Sequence, residues 1–175
     1  LIGCMEIAVR FQASLVVGLL QGLRSDEPDP AVANSRIVDC LRQVGMEAER
    51  RDVLLVIEPI NHLQVGFHNS VGEVRNLISE VGSLALRPMV DTIHMNIEEK
   101  SVIQPIIDCG SNLGHVHLCE SNGKLLGSGH IDFGAVLQAL DSVGYEGFAS
   151  VKDYRSEDLS SSARSCMRYL QGLRN

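Results

Sequence analysis

Short apolar runs alternate along this chain with longer stretches in which apolar residues recur every three or four positions. SLVVGLL (14–20), VLLVIEPI (53–60), RPMVDTIHM (87–95), LGHVHLCE (113–120) and GFASVKDY (147–154) read as strands. The run over 53–60 is continuously apolar, as expected of a strand covered on both faces of a parallel sheet. Helical spacing follows each strand. One segment runs from about 30 to 51, with Val38, Leu41, Val44 and Gly45 inward. A second is capped by Asn69 or Ser70, carries Val74, Leu77, Ile78 and Val81, and ends at Gly82. A third covers 101–110 with Pro105 near its first turn, and a fourth covers 131–145 with Val136, Leu137 and Leu140 inward. The last starts at Ser156 or Asp158 and reaches about Leu173.

Strand centres near 17, 56, 90, 116 and 150 lie 39, 34, 26 and 34 residues apart. That rhythm predicts right-handed parallel βαβ units. An eight-unit barrel of roughly 250 residues allots about 31 to each unit. The predicted fold class is therefore α/β, of the parallel (β/α) barrel type, with about five of the eight units in one domain over 1–175. An open, doubly wound five-stranded sheet fits the same periodicity.

Composition narrows the function classes. Of the 175 residues, 45% are hydrophobic and 21% charged, without a low-complexity tract, so a packed core is expected. A formal charge of −7 and the lack of a basic cluster argue against a nucleic-acid partner. The apolar runs are strand-sized, so no membrane span is expected. The opening LIGCMEIAVRF carries Glu6 and Arg10 and has no basic leader or cleavage site, which disfavours a signal peptide. Cys4, Cys40, Cys109, Cys119 and Cys166 are odd in number and form no CxxC pair, as in a reduced, cytoplasmic protein. The chain opens on Leu1, which leads to the expectation that upstream strands are missing. Five strands leave two sheet edges that upstream residues or a partner copy must cover, so a homo-oligomer is expected.

Candidate chemistry sits where parallel folds place it, at strand ends. Glu58 ends VLLVIE, Asp91 ends RPMVD, and His117 lies inside HVHL. A buried carboxylate is costly unless it is paired or bound to a metal. Two carboxylates and an imidazole on successive strands form a site for Mn²⁺, Mg²⁺, Co²⁺ or Zn²⁺; the bland alternative is a set of separate hydrogen-bonded core residues. His62 and His68 read as exposed loop residues, and His115 as a satisfied core histidine. The glycines at 123, 127 and 129 do not directly open a helix, so they are weak evidence for phosphate binding.

EPINH, VDTIHMNIEE, HVHLCESNGKLLGSGHIDF and GYEGFASVKDY together resemble the xylose isomerase-like barrel superfamily, and within it the sugar phosphate isomerase/epimerase and ketose 3-epimerase group. The resemblance covers nearly the whole chain and implies a TIM barrel of which these are the last five strands. It implies a divalent metal held by Glu58, Asp91 and His117, with Glu58 also serving as acid/base. His94 then contacts substrate beside the metal, and Glu120 and Asn122 lie in the substrate-binding loop after His117, with His130 and Asp132 closing the site. The implied substrate is a small sugar or sugar phosphate, isomerised or epimerised through an enediolate that the metal stabilises. The sequence departs from this pattern at Lys152, which stands where the second catalytic glutamate and fourth ligand belongs. A protonated lysine there repels a metal, and a neutral one would act as acid/base. Asp153 is one residue on and points to the opposite face unless the strand has ended. Gly123 replaces an arginine, and His62-Leu63-Gln64 replaces a more polar stretch. The alternative expectation is a catalytically impaired relative that binds without turnover. A metal-dependent endonuclease shares the superfamily, but its extra ligands would have to come from His130 and Asp132, and the charge disfavours DNA.

Overall fold

The computed structural model describes residues 1–19 and 22–174. Its elements run α1 (Ile2–Phe11), β1 (Leu15–Val17), α2 (Pro30–Arg51), β2 (Leu55–Ile57), α3 (Val71–Val81), β3 (Leu86–Asp91), α4 (Thr92–Glu98), α5 (Gln104–Cys109), β4 (His115–Cys119), α6 (Phe133–Ser142), β5 (Ala149–Lys152) and α7 (Leu159–Gly172). The first strand was expected to reach Leu20, which lies outside the described residues. Two compact units divide the chain, Leu1–Met89 and Val90–Asn175.

In the first unit β1 pairs with β2 and β2 with β3, all parallel and in chain order. β2 is buried at all three positions, as the unbroken apolar run predicts. The opening segment, given no structure from its pattern, is helical: Met5 and Ala8 face the core one turn apart while Glu6 and Arg10 stay exposed. α2 begins where expected. The Asp29 carboxylate accepts from the backbone N–H of Ala31 and Val32, and Pro30 takes the first position, where no N–H is needed. Its buried stripe of Ala33, Val38, Leu41, Gly45 and Ala48 packs over β1 and β2, with Val44 half-buried beside it. Ser70, not Asn69, caps α3 through a reciprocal bond with Glu73, while the Asn69 amide donates to the Ile60 and Val65 carbonyls.

In the second unit β4 and β5 pair in parallel, from Val116 opposite Ala149 to Cys119 opposite Lys152. Asp132 caps α6, which buries Phe133, Val136, Ala139 and Leu140 and leaves Leu137 half-buried. Asp158, not Ser156, caps α7. The Tyr169 ring meets Phe133 edge to face at 6.1 Å. Two elements differ from the expected pattern. The third strand stops at Asp91 and 92–98 turns into helix α4, so His94 stands on a helix. α5 starts at Gln104 because the Ser101 hydroxyl first accepts from Ile103 and Gln104.

Parallel strands that neighbour one another in chain order, each followed by a helix, are the parallel (β/α) barrel type of α/β architecture, with five of its eight strands among the described residues. A doubly wound sheet would reverse its strand order. No helix among the described residues is long and apolar enough to cross a membrane.

Candidate functional site

Asp91 is the turning point of the second unit's chemistry. It is 0% exposed, and its two oxygens have different duties. Oδ1 accepts from the Ile93 N–H at 3.0 Å, capping α4 and ending the strand. Beside it, the Thr92 hydroxyl donates to the Cys119 carbonyl (2.6 Å) and accepts from the Cys119 N–H (2.8 Å), which ties the start of α4 to the end of β4. Nothing in the hydrophobic pattern marks Thr92 for this task.

Oδ2 faces three side chains that the sequence singled out. The Lys152 ammonium donates to it at 2.6 Å from the end of β5. His117 Nδ1 lies 3.4 Å away on β4, and His94 Nε2 lies 3.9 Å away on α4. Burial alone would raise the Asp91 carboxyl. The His117 hydrogen bond, the Lys152 charge and hydrogen bond, and the His94 charge more than offset it and hold the group at about 2. The Tyr154 ring lies 5.7 Å from the Lys152 Nζ, a cation–π contact. His115 is a satisfied histidine: its Nε2 is 3.1 Å from the Ser150 hydroxyl and its ring meets His117 at 5.1 Å.

Glu58 belongs to the first unit, directly after β2, and is buried. Gly18 makes its place: a Cβ there would sit 2.7 Å from Glu58 Oε2. The glycine carries no motif and was not singled out. Asn61 is also buried, and its Oδ1 accepts from the Leu63 N–H. His62 is exposed as expected, whereas His68 is half-buried with φ 50, and burial lowers its pKa.

The loop after β4 is built around Glu120, also 0% exposed. Oε1 accepts from the Ser121 N–H, the Ser121 hydroxyl and the Ile131 N–H, and Oε2 from the Gly127 N–H. Asn122 is exposed and turned back into the loop, donating to the Ser128 carbonyl and accepting from the Lys124 N–H. His130 Nε2 lies 3.0 Å from the Asn96 amide oxygen on α4. Asp132 is spent on capping α6. Asp153 points away from the cluster, accepting from Arg155, Ser156 and the Ser162 hydroxyl. Gly123 has φ 68 and lies against the Tyr154 ring, so an arginine there would be strained.

The sequence matches the family described as xylose isomerase-like TIM barrel over residues 1–171. It is 35% identical over 120 residues to D-psicose 3-epimerase of Enterocloster bolteae, covering 69% of this chain and 40% of that protein. It is 35% identical over 123 residues to L-ribulose 3-epimerase of Mesorhizobium japonicum, covering 70% and 41%. The crystal structure of 3-keto-D-glucoside 4-epimerase from Escherichia coli superposes with a TM-score of 0.87 at 25% identity, covering 96% of this chain and 67% of that one. The chain spans about two fifths of the length of the two curated relatives.

Proposed function

The chain belongs to the xylose isomerase-like TIM barrel family, and from that premise we propose that it isomerises or epimerises a small sugar or sugar phosphate by moving a proton at a carbon beside a carbonyl. The observation that carries this reading is the cluster on Asp91. A fully buried carboxylate gathers two imidazoles and an ammonium where parallel strands end. Ionisable groups gathered this closely inside a fold, with a strongly shifted carboxyl among them, are the mark of a functional site.

In this reading Glu58 removes the proton. Its burial directly after β2 and the family resemblance at EPINH support that role. The enediolate left behind is negatively charged and needs positive charge or hydrogen-bond donors aimed at its oxygens. Lys152 supplies a positive charge and returns the proton, and His94 and His117 orient the substrate hydroxyls. Glu120 and Asn122 contribute by holding the loop, because their polar atoms are engaged within it.

The family resemblance implies a divalent ion, Mn²⁺, Mg²⁺, Co²⁺ or Zn²⁺, on Glu58, Asp91 and His117. The donor types suit such an ion. The ammonium at 2.6 Å does not: it engages Asp91 Oδ2 and sets a positive charge against an incoming cation. The residues present do not fit a divalent ion, and no step is routed through one. The same ion pair favours a second reading, in which the chain binds a sugar without turning it over. A homo-oligomer is proposed alongside both.

The test is solvent exchange. Incubated with a panel of ketoses in D₂O, the protein should place deuterium on the carbon next to the carbonyl, and Glu58→Gln should abolish it. Saturable sugar binding without deuterium uptake by any ketose would favour the second reading. Neither binding nor exchange would sink both.

A further inference from the structure

We propose that the Lys152 ammonium stands in the place of a divalent cation at Asp91, so that the site engages its sugar without a metal. This rests on the reading that the Asp91 cluster is the sugar site, but not on turnover.

Both oxygens of Asp91 are engaged. Oδ1 is held by the helix it caps, and Oδ2 accepts from Lys152 at 2.6 Å. The nearest nitrogens of His117 and His94 lie at 3.4 and 3.9 Å from that same Oδ2, around the carboxylate and its ammonium. A buried carboxylate needs a cation or several donors, and here one side chain of the fold supplies the cation. Lys152 comes from the strand position opposite Cys119, the residue whose N–H and carbonyl both bond Thr92. The stem that delivers the ammonium and the turn that positions Asp91 are thus joined through one residue. The side chain is only 23% exposed, with the Tyr154 ring on its other flank.

The substitution changes what the site can recognise. A divalent ion chelates two neighbouring sugar oxygens at once. An ammonium has three N–H donors. One serves Asp91, and whatever the ammonium gives a sugar goes to single carbonyl or hydroxyl oxygens, never to two at once as a chelate. Ligand binding should therefore be insensitive to chelators.

The experiment counts Asp91-dependent metal. Wild type, Lys152→Glu and Asp91→Asn are treated with EDTA, dialysed and titrated with Mn²⁺, followed by electron paramagnetic resonance and thermal unfolding. Wild type should bind no equivalent of Mn²⁺ that Asp91→Asn loses, and its Tm should not respond to Mn²⁺ or EDTA. Lys152→Glu should gain about one such equivalent and a Tm that rises with Mn²⁺. Should Lys152→Glu fail to fold, Lys152→Gln, which removes the charge and keeps a polar tip, is expected to show a weaker Mn²⁺ response absent from wild type. An Asp91-dependent equivalent of Mn²⁺ in wild type overturns the proposal, as does a well-folded Lys152→Glu that binds none. Sugar exchange in D₂O is scored separately, so a protein without turnover and a protein with a metal give distinguishable results.

Discussion

Asp91 and Glu120 are both fully buried carboxylates in the same half of the chain, and they are satisfied in opposite ways. Glu120 is surrounded by three backbone N–H groups and one hydroxyl, all from residues 121–131. Asp91 shares one oxygen with a backbone N–H and gives the other to Lys152, with His117 and His94 close by. Donors fixed in a loop hold a shape and cannot be exchanged for a ligand. Ionisable side chains can move, titrate and donate to something else. The difference separates a carboxylate that builds the site from one that works in it, although both look alike in burial and both lie near a strand end.

Breaking the loop carboxylate should cost most. Glu120→Ala leaves three backbone donors without a partner, and at roughly 1–3 kcal/mol for each buried orphan it should lower unfolding stability by about 4 kcal/mol in urea melts. Lys152→Met removes the ammonium and keeps the stem. Breaking a buried pair leaves the other charge uncompensated, so a loss of about 3 kcal/mol is expected, together with loss of deuterium exchange.

Acid sharpens the contrast. The Asp91 carboxyl is depressed from an ordinary 3.8 to about 2. A depressed pKa adds stability above the unfolded value and loses it as pH falls toward the folded one. On the order of 2 kcal/mol should therefore disappear between about pH 4 and pH 2. Lys152→Met should shrink that loss, because the Lys152 charge is part of its cause. Glu120 is raised by burial and lowered overall by the Ser121, Ile131 and Gly127 donors, so its share of acid sensitivity should survive the substitution. The smallest effect is at the loop's turn. Gly123→Arg places a side chain at φ 68 against Tyr154 and should cost about 1–2 kcal/mol, without restoring exchange to an inactive protein.

Much of the fold was legible because its signals are local. The apolar run ending at Glu58 marked β2, and Ser70, Glu73 and Gly82 marked both ends of α3. What stayed hidden depends on contacts distant in sequence or on one side chain's choice of partner. The pattern RPMVDTIHM reads as one strand until Asp91 caps its own successor, which moves His94 onto a helix. Thr92 looks like any β-branched strand residue, yet its hydroxyl joins two elements 27 positions apart. Lys152 stands out in the sequence, and a lysine there opposes a metal whatever the fold. Its partner does not show in the sequence, since only the fold brings residue 152 to residue 91. The loop role of Glu120 was equally invisible, because a carboxylate's partners along a Gly-rich loop leave no periodic trace.

The most direct measurement is a double-mutant cycle on stability with Asp91→Asn, Lys152→Met and their combination, at neutral pH. If the ammonium is Asp91's cation, the two changes should couple by about 2 kcal/mol, the double variant being far less destabilised than the singles predict. Additivity within about 0.5 kcal/mol would contradict the account.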